Sequence, residues 1–155
     1  MPLDQADLEH LLELRTGLRR FLRWSEEQAK AAGLTTAQHQ LLLAVQGHPD
    51  PAGPTIGEIA DYLVLRHHSA VELVNRAVKE GLVQRNPDPA SKSVVRVTVT
   101  PAGAAKLDAL AEAHLEEIAH LAPTMRTLWR QLERATNGNT RHPAARRPQR
   151  ARQSS

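Results

Sequence analysis

Apolar residues recur at helical spacing through the first thirty residues, where leucines and one phenylalanine alternate with charged side chains. This period predicts one amphipathic helix over residues 6–30, ending at Gly33. Two further helix starts follow, because Thr35–Gln38 and Thr55–Glu58 each have the Ser/Thr-x-x-Glu/Gln form of a capping box. The breaker-rich segment GHPDPAGP between them predicts a loop. Residues 1–63 are therefore expected to form three helices.

A fourth helix is predicted from His67 to Gly81, with an inward stripe of Ala70, Leu73, Val74 and Ala77. The alternation in VVRVTVT predicts a β-strand that pairs with a shorter strand beginning at residues 82–83. Thr100-Pro101 then predicts a helix start, and residues 101–136 read as one helix interrupted at Pro123 or as two helices. The fold class expected is mainly α with a small β-hairpin wing: a winged helix-turn-helix flanked by dimerisation helices. In that fold one helix enters the major groove of DNA beside the hairpin.

This pattern divides the chain into four parts. They are an N-terminal dimerisation helix (1–34), a winged helix-turn-helix DNA-binding module (35–100), C-terminal dimerisation helices (101–136) and a disordered basic tail (137–155). The first and last helices carry apolar stripes that a lone wing domain could not cover, and exposed apolar surface costs roughly 25 cal/mol per Å². We therefore expect a homodimer with interlocked chain ends that binds a pseudo-palindromic double-stranded DNA operator.

Composition excludes several classes of site. The chain has no cysteine, which excludes disulfides, thiolate metal sites and thiol-based oxidant sensing. No apolar stretch approaches a membrane span, and the first residues lack the basic start of a signal peptide, so a cytoplasmic location is expected. Five of the 20 basic residues lie in the tail, which leaves 15 against 17 acidic residues in the rest of the chain. The basic pI is therefore no argument for DNA binding by the folded part.

The chain resembles the MarR family of bacterial transcription regulators over roughly residues 6–136. The resemblance is carried by LTTAQHQLLLAV, TIGEIADYL, HHSAVELVNRAVKEGLVQR and NPDP…VVRVTVTPAG. It implies an obligate dimer that binds promoter DNA, usually as a repressor. It also implies release of the DNA when a small, commonly phenolic, anion enters a cleft between the dimer helices and the reading head.

Two departures from the family pattern bear on DNA reading. Family wings typically carry an Asp-Arg-Arg run in which the acid braces an arginine for the minor groove, whereas Ser91, Lys92 and Ser93 stand here. Lys92 can neutralise a phosphate but lacks the planar fork of arginine, so weaker minor-groove readout is expected. Arg66 stands where a Ser or Asp usually caps the recognition helix, and a lost cap costs about 1 kcal/mol.

Candidate site residues follow from the predicted faces and from the resemblance. Arg suits guanine, Asn suits adenine and Glu can accept from cytosine, so the outward face of the fourth helix and the cations of the wing are the candidate DNA contacts. They are Arg66, His67, His68, Ser69, Glu72, Asn75, Arg76, Arg85, Lys92 and Arg96. The resemblance places an effector near Arg15, Arg19, Trp24 and His39.

The sequence therefore predicts a sequence-specific DNA-binding transcription regulator, a homodimeric repressor released by a small-molecule effector. One alternative is a protein-interaction adaptor that kept the winged fold, since residues 55–100 have six basic and five acidic side chains. Another is a metal-dependent repressor, with ligands drawn from His114, Glu116, Glu117 and His120. No nucleophile with a base, glycine-rich phosphate loop or carboxylate pair has usable spacing, so neither an enzyme nor a cofactor is expected.

Overall fold

A computed structural model describes residues 3–139 of the chain. In that range it contains helices joined to a two-stranded antiparallel sheet, which confirms the predicted fold class. The elements are α1 (Gln5–Ala31), α2 (Thr36–Gln46), α3 (Ile56–Leu63), α4 (His67–Lys79), β1 (Val83–Pro87), β2 (Val95–Val99) and α5 (Pro101–Asn139).

Backbone contacts divide the chain into two units. The first is residues 18–120, which include α2, α3, α4 and the hairpin. The second combines residues 3–17 with residues 121–139, and in it Leu128 is buried. The helices α1 and α5 each contribute residues to both units.

Both capping boxes predicted from the sequence are present. The hydroxyl of Thr35 accepts from the Gln38 N–H while the Gln38 side chain accepts from the Thr35 N–H, and Thr55 and Glu58 do the same at α3. Each box satisfies two of the N–H groups that a helix start leaves without an intrahelical partner. The start of α4 differs, because Arg66 makes no side-chain cap hydrogen bond. The expected loss of that cap is confirmed.

The helix α4 is held by the small apolar stripe that its sequence predicted. Ala70, Leu73, Val74 and Ala77 are all buried. They share one core with residues of α2, α3 and the hairpin, among which the largest fully buried side chains are Leu41, Leu42, Ile59, Val83 and Val97. Because this stripe faces the core, the remaining polar positions of α4 lie on its outer surface.

The turn between α3 and α4 contains a strained residue. Val64 has φ 54° and ψ 46°, and it is 91% exposed. A β-branched residue is rare in this left-handed region because its Cβ approaches the backbone. Its N–H bonds to the carbonyls of Ala60 and Asp61, which closes the end of α3.

The hairpin is joined to the loop before α3 as well as to itself. Within the hairpin Val83 pairs with Val99 and Pro87 pairs with Val95. On the other edge of β2, the Val97 N–H donates to the Pro54 carbonyl at 2.9 Å, and residues 55 and 96 form an isolated antiparallel bridge. Gly53 permits this approach, since an added Cβ there would collide with the Val97 carbonyl. The sequence predicted this segment only as a loop.

The C-terminal helix departs from its predicted interruption. α5 runs continuously from Pro101 to Asn139 with Pro123 inside it. Proline removes one helical N–H, yet the helix continues, and the Thr127 hydroxyl donates to the Pro123 carbonyl at 3.1 Å. The helix therefore includes residues 137–139, which the sequence had assigned to the tail. Residues 140–155 of the predicted tail lie outside the described residues.

We predict that Gly103→Ala lowers the free energy of unfolding by about 1–3 kcal/mol, the usual cost of overpacking. An added Cβ would collide with the Leu82 carbonyl and lie 2.9 Å from Cγ1 of Val99, where α5 meets the hairpin. Gly57→Ala is the matched control, because Gly57 also lies in a first helical turn and an added Cβ there meets only the Thr55 hydroxyl at 3.9 Å. Urea denaturation measures both variants, and equal stability would contradict the packing described here.

Candidate nucleic-acid interface and an apolar cavity

The outer face of α4 collects most of the DNA-contact residues proposed from the sequence. Ser69 and Val71 are half-buried. The exposed members are Arg66, His67, His68, Glu72, Asn75 and Arg76. The face is polar and mixed in charge, with cations at both ends and one acid between them. Such a surface offers both donors and acceptors to base edges.

The first strand of the wing is tied to this face. The Arg85 guanidinium donates through Nη2 to the side-chain oxygen of Asn75. An asparagine that reads adenine uses that same oxygen as an acceptor and its amide nitrogen as a donor. An amide oxygen has two lone pairs, so the Asn75 oxygen keeps one acceptor position for adenine while it binds Arg85.

The structure places Arg96 differently from its sequence assignment. Alternation along β2 predicted an outward side chain, but only 18% of the Arg96 side chain is exposed. Its Nε donates to Oδ2 of Asp88 at 2.6 Å and its Nη1 donates to the Gly53 carbonyl at 3.1 Å. Asp50 and Glu58 lie at 3.8 and 4.0 Å from Nη1. The loop before α3 covers this face of the strand, which local alternation cannot reveal. Lys92 stays exposed at the wing tip, as expected.

The Asp88 carboxylate orders the wing tip in two directions. Its Oδ1 accepts from the Ala90 N–H at 2.7 Å, while its Oδ2 binds Arg96. The Ala90 N–H and then the Arg96 side chain lower the pKa of Asp88, and the pKa of Arg96 is raised chiefly by Asp88. Both groups are therefore held in their charged forms.

A separate cavity of about 760 Å³ lies within the unit of residues 18–120. Its walls are mainly apolar and include Phe21, Leu43, Leu107, Leu115 and Ile118. Of the residues proposed for an effector, Arg19 and His39 line it. Trp24 lies beside it, with its ring tilted against that of His114 and the two ring centroids 4.8 Å apart. Arg15 belongs to the other unit.

Two histidines stand together in the wall of this cavity. The ring centroids of His39 and His114 are 4.8 Å apart. Nδ1 of His114 lies 2.7 Å from the Leu110 carbonyl, and because a carbonyl only accepts, this nitrogen carries the proton. In the neutral ring Nε2 then accepts from the Ser25 hydroxyl at 2.7 Å. Burial, and to a lesser degree His114, lower the pKa of His39. The cavity therefore presents a neutral imidazole.

The sequence offered His114 only within an alternative function, as a possible metal ligand. Within residues 3–139, no group of three or more His, Cys, Asp or Glu side chains is arranged to hold a metal ion. The cavity role had a signal in the sequence, because Ala111, His114, Leu115 and Ile118 follow a helical period and share one face of α5. Ser25 offered no comparable signal, since its position opposite His114 depends on packing across 89 residues of chain.

Comparisons with known proteins agree with this geometry. Residues 32–92 match a family model described as MarR family. A search of curated proteins found no match. No helix in residues 3–139 is long and apolar enough to cross a membrane.

Solved structures with a similar fold come from several regulators. A MarR family transcription regulator has 18% identity and a TM-score of 0.68, covering 86% of this chain and 89% of its own. The DNA complex of MepR from S. aureus has 15% identity and a TM-score of 0.64, covering 81% and 90%. Wild-type apo MarR from E. coli has 23% identity and a TM-score of 0.60, covering 87% and 98%. At these identities the likeness concerns the fold.

We predict that the free energy of unfolding falls as the pH is lowered from 6.5 toward the depressed pKa of His39. In that window the unfolded chain binds a proton that the folded chain does not, so stability present above pH 6.5 is lost on acidification. Urea denaturation between pH 7.5 and 5 measures the slope, and His39→Gln should remove part of it. An NMR titration showing the His39 pKa at or above 6.5 would contradict the prediction.

Proposed function

This chain is a MarR-family winged helix-turn-helix protein, and from that premise we propose that it is a homodimeric transcription repressor. The dimer binds a pseudo-palindromic DNA operator, and it leaves the operator when a small molecule occupies the apolar cavity. The observation that carries the proposal is the polar outer face of α4. Four buried apolar residues fix the orientation of that helix, while Arg76, His68 and Glu72 remain exposed beside the wing. A helix presented in this way suits the major groove.

Exposed apolar residues in the second unit support the proposed dimer. In α1 Leu8 is 49% exposed and Leu12 is 65% exposed, while in α5 Trp129 is 60% exposed. Aromatic and leucine side chains at this density are typical of homodimer interfaces, which are more apolar than other surfaces. A two-fold dimer would carry two copies of α4 and would require half-sites about one helical turn apart.

The cavity supports the proposed effector, and a buried glutamine offers a route to the recognition helix. Gln38 lies two residues after Thr36, which lines the cavity, and only 6% of Gln38 is exposed. Its Nε2 donates to the Glu80 carboxylate at 2.7 Å, immediately after α4. A molecule that displaces α2 would therefore act on the end of α4 through this bond. The neutral ring of His39 would be the polar partner of the bound molecule.

We predict that Arg76→Ala weakens binding to the cognate site by about 1–3 kcal/mol, because it removes a candidate base contact on α4. The site is first selected from random duplex DNA with the full-length protein, and a two-fold symmetric consensus is expected. Arg20→Ala is the matched control, since this arginine is exposed on α1 and does not line the cavity. Its Kd should stay within about 0.5 kcal/mol of the wild-type value. Recovery of no consensus would favour the protein-interaction adaptor.

We also predict that salicylate, as a phenolic-anion probe, perturbs the NMR signals of His39 and Trp24 and raises the Kd for the selected DNA. Ala111→Leu reduces the volume of the cavity and should lower the affinity for salicylate at least severalfold, because a filled apolar site excludes the ligand. The same variant should bind DNA as the wild type does. Salicylate binding that is equal in both proteins would contradict an effector site in this cavity.

A further inference from the structure

The wing tip is connected to the helix-turn-helix by an unbroken series of polar contacts. At one end, the Ala90 N–H donates to the Asp88 carboxylate and orders the turn of the wing tip. Ala90 lies two residues before Lys92. Asp88 binds Arg96, and Arg96 donates to the Gly53 carbonyl in the loop before α3. At the other end Glu58, 4.0 Å from Arg96, accepts from the N–H of Thr55 and so caps α3.

The charges around Arg96 leave it little capacity for a phosphate. Its guanidinium faces the carboxylates of Asp88, Asp50 and Glu58 and a backbone carbonyl. An arginine released to bind DNA would leave the Asp88 carboxylate, which is half-buried, without its cation. Leaving a partly buried charge unpaired is costly, so the intramolecular arrangement is favoured.

We propose that Arg96 is a positioning residue for DNA reading. It holds the wing tip against loop 47–54 and α3, so that Lys92 is presented at a fixed distance from the exposed face of α4. The inference rests on the proposed function, and it replaces the direct DNA contact that the sequence assigned to Arg96. Arginine suits this role because its planar guanidinium has several donors. Nε donates to Asp88 and Nη1 donates to the Gly53 carbonyl, and these acceptors belong to different parts of the chain.

Main-chain hydrogen bonds around residue 96 hold the hairpin against the loop independently of the Arg96 side chain. The Val97 N–H bonds to the Pro54 carbonyl, and residues 55 and 96 form their bridge, through main-chain atoms alone. A changed side chain at position 96 therefore leaves the base of the hairpin paired with the loop. The wing tip, from Asp88 to Val94, is the part that loses its connection.

The test compares Arg96→Gln with Lys92→Gln, because each removes one positive charge from the wing. Binding to the selected operator is measured as a function of salt. Arg96→Gln should weaken binding about tenfold, equivalent to about 1.4 kcal/mol, with the salt slope unchanged, since no phosphate contact is lost. Lys92→Gln should reduce the slope by about 1.8, the value for two released counterions, one at each wing of the dimer. Asp88→Asn should match Arg96→Gln, and the double variant should be no weaker than either single variant.

Hydrogen exchange of the free protein provides the readout that a general loss of stability would not give. In Arg96→Gln, exchange should accelerate at the amides of residues 90–94 and stay unchanged in α2 and α4. Arg96→Lys should restore only part of the protection, because an ammonium group cannot reach both acceptors as the guanidinium does. A reduced salt slope for Arg96→Gln would identify a direct contact and overturn the proposal. Unchanged affinity, or exchange that rises throughout the chain, would overturn it as well. If the wild-type protein selects no DNA, the proposed function fails, and the tip exchange still reports whether Arg96 orders the wing.

Discussion

Burial of the apolar stripe of α4 is the constraint on which the rest of the structure depends. The small side chains of Ala70 and Ala77 allow close packing, and Leu73 and Val74 are the larger buried side chains. This packing determines which side of the helix faces solvent, and therefore which side chains a double helix could meet. The core that receives the stripe also contains Val83 and Val97, so the same apolar contacts hold the recognition helix and the base of the wing.

Polar side chains with two partners then join the elements that the core brings together. Gln38 caps α2 with its oxygen and reaches Glu80 with its nitrogen. Asp88 orders a turn with one oxygen and binds Arg96 with the other. Such groups are stable in partly buried positions because their hydrogen-bonding capacity is satisfied by protein atoms. Each of them connects two elements that apolar packing alone would leave free to slide.

Local sequence patterns predicted most elements of the reading head but few of its polar connections. Helix caps, the α4 stripe and strand alternation each depend on residues that are close together in the sequence. Thr35, Thr55 and Thr100 therefore marked their helix starts correctly. The surroundings of Arg96 and His114 could not be predicted, because their partners come from segments 43 and 89 residues away in the chain. Pro123 was treated as an interruption because its local cost was weighed without the packing around it. DNA contacts and effector contacts stay predictions, since they depend on molecules other than this chain.

The valine at the corner of the helix-turn-helix has a mechanical consequence. Glycine would occupy the left-handed conformation of Val64 without strain, but it would also give the corner many other conformations. A branched side chain disfavours this conformation, so the angle is maintained by the hydrogen bonds from the Val64 N–H to the carbonyls of Ala60 and Asp61. Because Val64 is 91% exposed, the effect of its side chain is confined to the local backbone. The angle between α3 and α4 therefore depends on a residue in a conformation that it does not favour.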